Sequence, residues 1–282
     1  MPKKLSTEHN ELSPTSSLVL FLAGKQSYLQ KNTQKYLEYI NFDKEAVYIK
    51  EFIKIWPPMD NVIKNRKYAI KKMAFDFLNK NNNAQVIILA AGLDPLSIEI
   101  ASVYPKSCIF EIDKYNMDVK TQLLKKVGNL EAIKCITADL TDIKSVEKNL
   151  LKVLWNKKKP TLLIAEGISY YISEKSLWSI VNIFKSPNKN NELILEYLLP
   201  YNLVNEKYRD IAKKTFQKLE KDYNLSSIVH YSKELIKRQL PKVSGDLKKT
   251  FNFCQIEKER LGKNSFFTDS KDCWIEVSSI TI

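Results

Sequence analysis

The chain has little of several things that would point to particular chemistries. It holds four cysteines in 282 residues. Cys108, Cys135, Cys254 and Cys273 all fall in apolar, strand-like runs with no CxxC pair. That spacing excludes a disulfide scaffold and a zinc module, and the expectation is buried free thiols in a reducing compartment. Histidine is scarcer still, with only His9 and His230, so neither a histidine-based metal site nor any bound metal is expected. Arginine is confined to Arg66, Arg209, Arg238 and Arg260, although lysine carries the formal net charge to +13. Phosphate and base recognition favours the bidentate guanidinium fork. Lysines scattered among asparagines, as in Asn79 to Asn83 and Ser186 to Asn191, read instead as a solvated surface. Nucleic acid is therefore not the expected partner. The early apolar run Leu18 to Ala23 falls far short of the ~18 residues a membrane span requires. No membrane association is expected and the cytoplasm is the expected location, although export without a cleaved signal would leave the same pattern.

What the chain does have is 44% apolar residues, enough for a sizeable core, and a regular alternation. Gln85 to Ala90 (QVIILA) is a continuous β-branched run of strand length, the pattern of a strand covered on both faces. Similar runs recur at Ser107 to Ile112, Ala132 to Thr137, Thr161 to Ala165 and Glu192 to Tyr197. Between them lie helical periodicities at Leu96 to Val103, Met117 to Val127, Ile143 to Trp155 and Ser173 to Phe184. Strand and helix taking turns predict βαβ units with right-handed crossovers. No fixed-period repeat occurs, which excludes a solenoid.

Ahead of the first strand, Asn61 to Leu78 reads as one amphipathic helix and Ser13 to Ile63 as largely helical. After the fifth, Pro200 opens a helical insertion to about Lys221, followed by a helix at Lys233 to Gln239. Two final alternating runs, Thr250 to Ile256 and Cys273 to Ile282, predict a β-hairpin with its loop around Gly262. The expected fold is α/β: a Rossmann-like, doubly wound, seven-stranded, mostly parallel sheet with an antiparallel C-terminal hairpin and an N-terminal helical cap. The expected division is a cap over residues 1–60 and a main domain over 61–282, with the helical insertion at about 200–240.

The stretch from Val86 to Asp113 carries the chemistry. A strand leads into Ala90-Ala91-Gly92-Leu93-Asp94, then a helix, then a strand ending Glu111-Ile112-Asp113. A small-residue turn lets a ligand approach the backbone, and the next helix points its amides there. The acids lie about 20 residues past the glycine, the spacing at which such sheets place a carboxylate on ribose hydroxyls. A dinucleotide is one reading, but GxGxxG is missing, so a nucleoside cofactor without phosphate fits better.

The combination LAAGLD (Leu89 to Asp94), FEID (Phe110 to Asp113), ADL (Ala138 to Leu140) and AEGISYY (Ala165 to Tyr171) resembles the leucine carboxyl methyltransferase family, which includes tetracenomycin-type polyketide O-methyltransferases. The likeness spans Asn61 to Tyr197, and the C-terminal hairpin less strongly. It implies a class I methyltransferase with S-adenosyl-L-methionine as cofactor. Gly92 would meet the methionine moiety, with Ala90 and Ala91 keeping the turn slim and Asp94 closing the motif. Asp113 would hold the ribose, with Glu111 one alternation away on the other face. Asp139 would accept the adenine amino group while Leu140 covers the ring. Glu166, with Gly167 beside it, would sit near the cofactor's amino group, and Arg66 would pair with its carboxylate. There are departures. The family commonly has an arginine soon after the motif aspartate, where this chain has Pro95-Leu96-Ser97, and Glu99 stands where a further arginine often appears. Ser16, Ser17 and Lys25 are candidate contacts from the N-terminal segment.

Methyl transfer is an in-line displacement governed by positioning and desolvation. A carboxylate acceptor needs no base, whereas a hydroxyl does. The catalytic candidates are Tyr170 and Tyr171 on the acceptor side and His230 as a base, with Tyr197 and Tyr201 after the fifth strand as further wall. Ala165-Glu166-Gly167 occupies the place of the Asn/Asp-Pro-Pro-aromatic run of base N-methyltransferases, which argues against that activity. The expected function is O-methylation of a carboxylate or hydroxyl, on a small molecule or on a protein C-terminal carboxylate. A catalytically inactive cofactor-binding regulator and an RNA methyltransferase are the alternatives. Oligomeric state has no signature in the sequence.

Overall fold

The aliphatic runs form the strands of one sheet: β1 (Gln85–Leu89), β2 (Cys108–Asp113), β3 (Ile133–Thr137), β4 (Thr161–Ala165), β5 (Glu192–Leu198), β6 (Asp246–Phe251) and β7 (Ile275–Thr281). The computed structural model describes residues 14–40, 46–128, 131–223, 225 and 228–282. Strand order is β3-β2-β1-β4-β5-β7-β6, with β1 to β5 parallel and β7 antiparallel to both its neighbours. Every residue of β1, β4 and β5 is buried, because helices cover both faces.

The helices are α1 (Pro14–Ala23), α2 (Lys31–Leu37), α3 (Ala46–Ile55), α4 (Met59–Lys80), α5 (Leu96–Val103), α6 (Met117–Val127), α7 (Ile143–Lys152), α8 (Glu174–Ile183), α9 (Glu206–Tyr223), α10 (Lys233–Gln239) and α11 (Phe253–Leu261). Several begin at side-chain caps. Asp142 accepts from Ser145 N, Ser173 from Ser176 N and Ser232 from Leu235 N, each satisfying an amide the helix leaves free. No described helix is long and apolar enough to cross a membrane.

Strand register sets up the site. Leu89 lies opposite Ile112 on one side and Ala165 on the other, and Ala165 lies opposite Leu195. β1, β2 and β4 therefore end within a residue of one level, and Glu196, the residue after Leu195, stands at that level inside β5, which runs on to Leu198. Strand order reverses between β1 and β4, the switch point at which α/β sheets open a crevice.

The N-terminal helices pack over this edge and share the core. Leu18, Tyr36 and Phe52 belong to the same buried cluster as Val86 and Leu195. Tyr36 Oη donates to Leu93 O at 3.1 Å, and Trp56 packs edge-on against Tyr208, Phe266, Phe267 and Trp274.

Two expectations are corrected. The last two strands pair antiparallel as expected, but a helix joins them in place of a loop: β6 stops at Phe251 and Asn252 starts α11 with a capping box to Gln255. Thr250 to Ile256 therefore divides between strand and helix, and Gly262 ends α11 at φ +73°. The thiols are all free, but Cys273 alone is buried, since Cys108 is exposed at the start of β2 while Cys135 and Cys254 are half-buried. His9 lies outside the described residues.

Candidate active site

The turn after β1 is tightly wound. Ala90 and Gly92 both take left-handed conformations, at φ +49° and +47°. Gly92 N donates to Asp113 Oδ2 at 2.8 Å, and Tyr115 N donates to Asp113 Oδ1 at 3.1 Å. A Cβ on Gly92 would lie 3.0 Å from Ser16 Oγ, so α1 rests directly on the turn.

Asp94 then opens α5, its Oδ1 accepting from Leu96 N at 3.0 Å. Its Oδ2 accepts from Lys67 Nζ at 2.5 Å and from Tyr28 Oη at 3.2 Å. Lys67 Nζ also lies 2.7 Å from Glu166 Oε1, and Arg66 Nε lies 2.9 Å from the same oxygen. Burial raises the Asp94 carboxyl, but the charge and hydrogen bond of Lys67, with Lys120 beyond, outweigh it and leave the group lowered overall. Burial alone would lower Arg66; Glu166 and Glu196 reverse that and hold it charged.

These groups border one common chamber. Of the sequence candidates, Arg66, Ala90, Ala91, Asp94, Glu111, Glu166, Gly167, Tyr170, Tyr171 and Ser16 line it. Gly92 and Asp113 join through the turn and its hydrogen bond. The rings of Tyr170 and Tyr171 meet edge to face at 4.7 Å. Burial and then the Glu196 charge raise the Tyr170 phenol well above its ordinary value, and burial raises Tyr171 as well. Both are therefore hydrogen-bond donors at neutral pH.

Other candidates stand elsewhere. Glu111 borders the chamber, but its carboxylate is fully buried against Lys120, 2.6 Å from Nζ. Asp139 and Leu140 follow β3, one strand further out. Asp139 is held by Thr141 and by Lys114 Nζ at 2.9 Å, which together keep its carboxyl well below the usual range. Lys25 is exposed, and Ser17 is fully buried with Oγ unpartnered. His230 does not border the chamber; it packs edge-on against Tyr201 at 4.7 Å, and burial lowers its pKa. Tyr197 Oη is engaged by Glu276 at 2.8 Å.

Several site residues escaped the sequence reading. Lys67 and Tyr28 bind the acids just described. Glu196 follows Leu195 on β5 as Glu166 follows Ala165 on β4, and this repeated offset was a usable signal. Its Oε2 accepts from Gly167 N at 2.6 Å while Oε1 has no partner. Burial, partly offset by Arg66, pushes its carboxyl up to about 7. Glu99, read only as a missing arginine, is 1% exposed and accepts from Leu29 N at 3.2 Å and Gln30 N at 2.9 Å, with Lys71 Nζ at 3.3 Å. It ties the start of α2 to α5.

Comparison with known proteins bears on the family and the fold. The leucine carboxyl methyltransferase family model matches residues 17–184, more than half of the chain. No curated protein matches. Among solved structures, a candidate methyltransferase from Thermobifida fusca YX superposes with a TM-score of 0.63 at 16% identity, covering 90% of this chain and 94% of its own. A DUF574 family protein from Streptomyces avermitilis MA-4680 gives 0.66 at 12% identity, with 95% and 96% covered. Mitomycin 7-O-methyltransferase MmcR gives 0.52 at 10% identity, with 95% and 75% covered. At these identities the structures bear on fold, and the family rests on the sequence match. The chain belongs to the leucine carboxyl methyltransferase family, a methyltransferase of Rossmann-like fold whose cofactor is S-adenosylmethionine.

Proposed function

We propose that the chain methylates an oxygen of its acceptor, a carboxylate in preference to a hydroxyl, on a small molecule or a protein C-terminus. The donor set fits the cofactor. Arg66 and Lys67 supply cationic partners for an amino-acid carboxylate, and Glu166 and Asp94 supply anions for its ammonium. Asp113 keeps lone pairs for ribose hydroxyls beyond its two backbone bonds. Asp139 and Leu140, further along the strand ends, take the adenine. Helices α1 to α3 act as a cap, supported by Ser16 over Gly92 and Tyr28 on Asp94.

When bound, the cofactor supplies an electrophilic methyl group on a sulfonium. The chain's own residues do the rest. Tyr170 and Tyr171 orient the acceptor oxygens, and α1 and the buried wall exclude water. The observation that carries the carboxylate reading is the pair of protonated phenols beside Arg66. They form a donor-rich wall suited to an ionised acceptor and unable to take a proton from a hydroxyl.

The test uses cofactor labelled in the methyl group, with low-molecular-mass cell extracts and C-terminal peptides as acceptors. Label released as volatile methanol in alkali marks a methyl ester and is the expected result. Base-stable label marks an ether or amine and overturns the carboxylate reading.

A further inference from the structure

Behind Arg66, Tyr170 and Tyr171 lies a second space, bounded by α1, α3, α4, α9 and the start of β7. Val19 and those three residues line both spaces, so they form a neck between them. The walls differ sharply in character. The first space has acids and cations; the second is faced by side chains such as Leu22, Phe52, Val62, Phe216, Leu219 and Trp274, none more than 6% exposed. Thr215 also faces it, but its hydroxyl is bonded to Ile211 O at 2.8 Å. Trp274 is fully buried, and its indole Nε1 has no hydrogen-bond partner.

We infer that this inner chamber holds the carbon body of the methyl acceptor, and that the acceptor is a small, predominantly apolar molecule carrying its nucleophilic oxygen at one end. This rests on the methyl-transfer reading of the adjoining site. A polar body would lose its hydration to aliphatic and aromatic walls without replacement hydrogen bonds, which disfavours sugars and nucleotides. An apolar body gains by burial in proportion to its area. The unpartnered Trp274 N–H would be satisfied by one acceptor atom on such a ligand. The neck then sets the chemistry: only the oxygen at the Arg66 and tyrosine end reaches the cofactor side. In the transfer, the oxygen's lone pair forms the new O–CH3 bond while the C–S bond breaks, and its electron pair stays on sulfur, leaving a neutral thioether. An ionised carboxylate becomes a neutral ester with no proton to remove.

The test is calorimetric titration of the full chain, saturated with S-adenosylhomocysteine, with straight-chain carboxylates of six to twelve carbons. The matching primary alcohols control for binding to surface lysines. Affinity should rise about fourfold per added methylene until the chamber is full, the worth of burying one methylene. Val62→Trp, and the milder Val62→Phe in case the first does not fold, should weaken the longest ligands at least tenfold while leaving S-adenosylhomocysteine affinity unchanged. An affinity independent of chain length overturns the inference, as does binding unaffected by filling the chamber. Tighter binding of C-terminal peptides than of any carboxylate overturns it in favour of a protein acceptor. Failure to bind S-adenosylhomocysteine at all would count against the cofactor site, and is read in a separate titration.

Discussion

Gly92 N–H donates to Asp113 Oδ2 at 2.8 Å, so the turn after the first strand and the acid at the end of the second form one unit. Asp113→Ala removes the proposed ribose ligand and the acceptor that fixes the turn. S-adenosylhomocysteine affinity should fall by one to two orders of magnitude, roughly the worth of charge-assisted hydrogen bonds. Asp113→Asn keeps an acceptor for Gly92 and should lose less. Titration calorimetry on both variants separates the roles; unchanged binding in Asp113→Ala would mean the ribose acid is misassigned.

Gly92→Ala places a side chain at φ +47° and 3.0 Å from Ser16 Oγ. The left-handed backbone alone costs about 1–2 kcal/mol, and the new methyl pushes α1 off the turn. Denaturant unfolding should show that loss. Ala90→Gly, at φ +49°, should be neutral or slightly stabilising, because relief of strain offsets the added chain entropy.

Arg66→Ala should weaken S-adenosylmethionine much more than 5′-methylthioadenosine, which lacks the amino-acid carboxylate. It also leaves Glu196 without the cation that most offsets its burial and Glu166 with Lys67 alone, a change worth about 3–5 kcal/mol where a buried pair is broken. Paired titrations of the two ligands on folded variant decide the assignment, and equal losses would refute it.

Glu196 gives a pH dependence of known sign. Its carboxyl rises on folding from 4.5 to about 7, so between those values the folded state holds a proton that the unfolded state has released. This group's effect is therefore a loss of stability as pH rises through that window, with a plateau above it. Glu196→Gln should be close to wild type near pH 4.5 and more stable by about 1–3 kcal/mol near pH 8. Chemical unfolding at both pH values provides the check, and a pH-independent difference contradicts the protonation assignment.

Glu99→Arg installs the residue type the family often carries nearby. Here it would replace the acceptor of two amides with a cation beside Lys71. Loss of stability should exceed that of Glu99→Gln, and hydrogen exchange should quicken at Leu29 and Gln30 in both variants. A stabilised Glu99→Arg would show that the tie between α2 and α5 is misread.

The parallel half of the sheet was legible because its strands are buried on both faces and read as unbroken aliphatic runs, as in QVIILA. Thr161–Ala165 and the helices Leu96–Val103 and Met117–Val127 fall where the periodicity puts them. The C-terminal end was misread because apolar alternation in Thr250 to Ile256 concealed the Asn252 and Gln255 cap. Arg66, Asp94 and Glu166 were found through motif order. Lys67 was not, because a lysine-rich composition makes each lysine look like surface, whereas this one is 6% exposed. Glu99 was visible only as a departure, since its partners are backbone amides about seventy residues earlier and no local pattern encodes them.

The most direct test of the central claim is titration of the purified chain with S-adenosylhomocysteine, with NAD as the control ligand and Asp113→Ala beside the wild type. Micromolar binding of the first ligand, none of the second, and loss in the variant are the predicted results. Silence with S-adenosylhomocysteine, or equal binding by Asp113→Ala, would contradict the placement of the cofactor at the Ala90 to Asp94 turn.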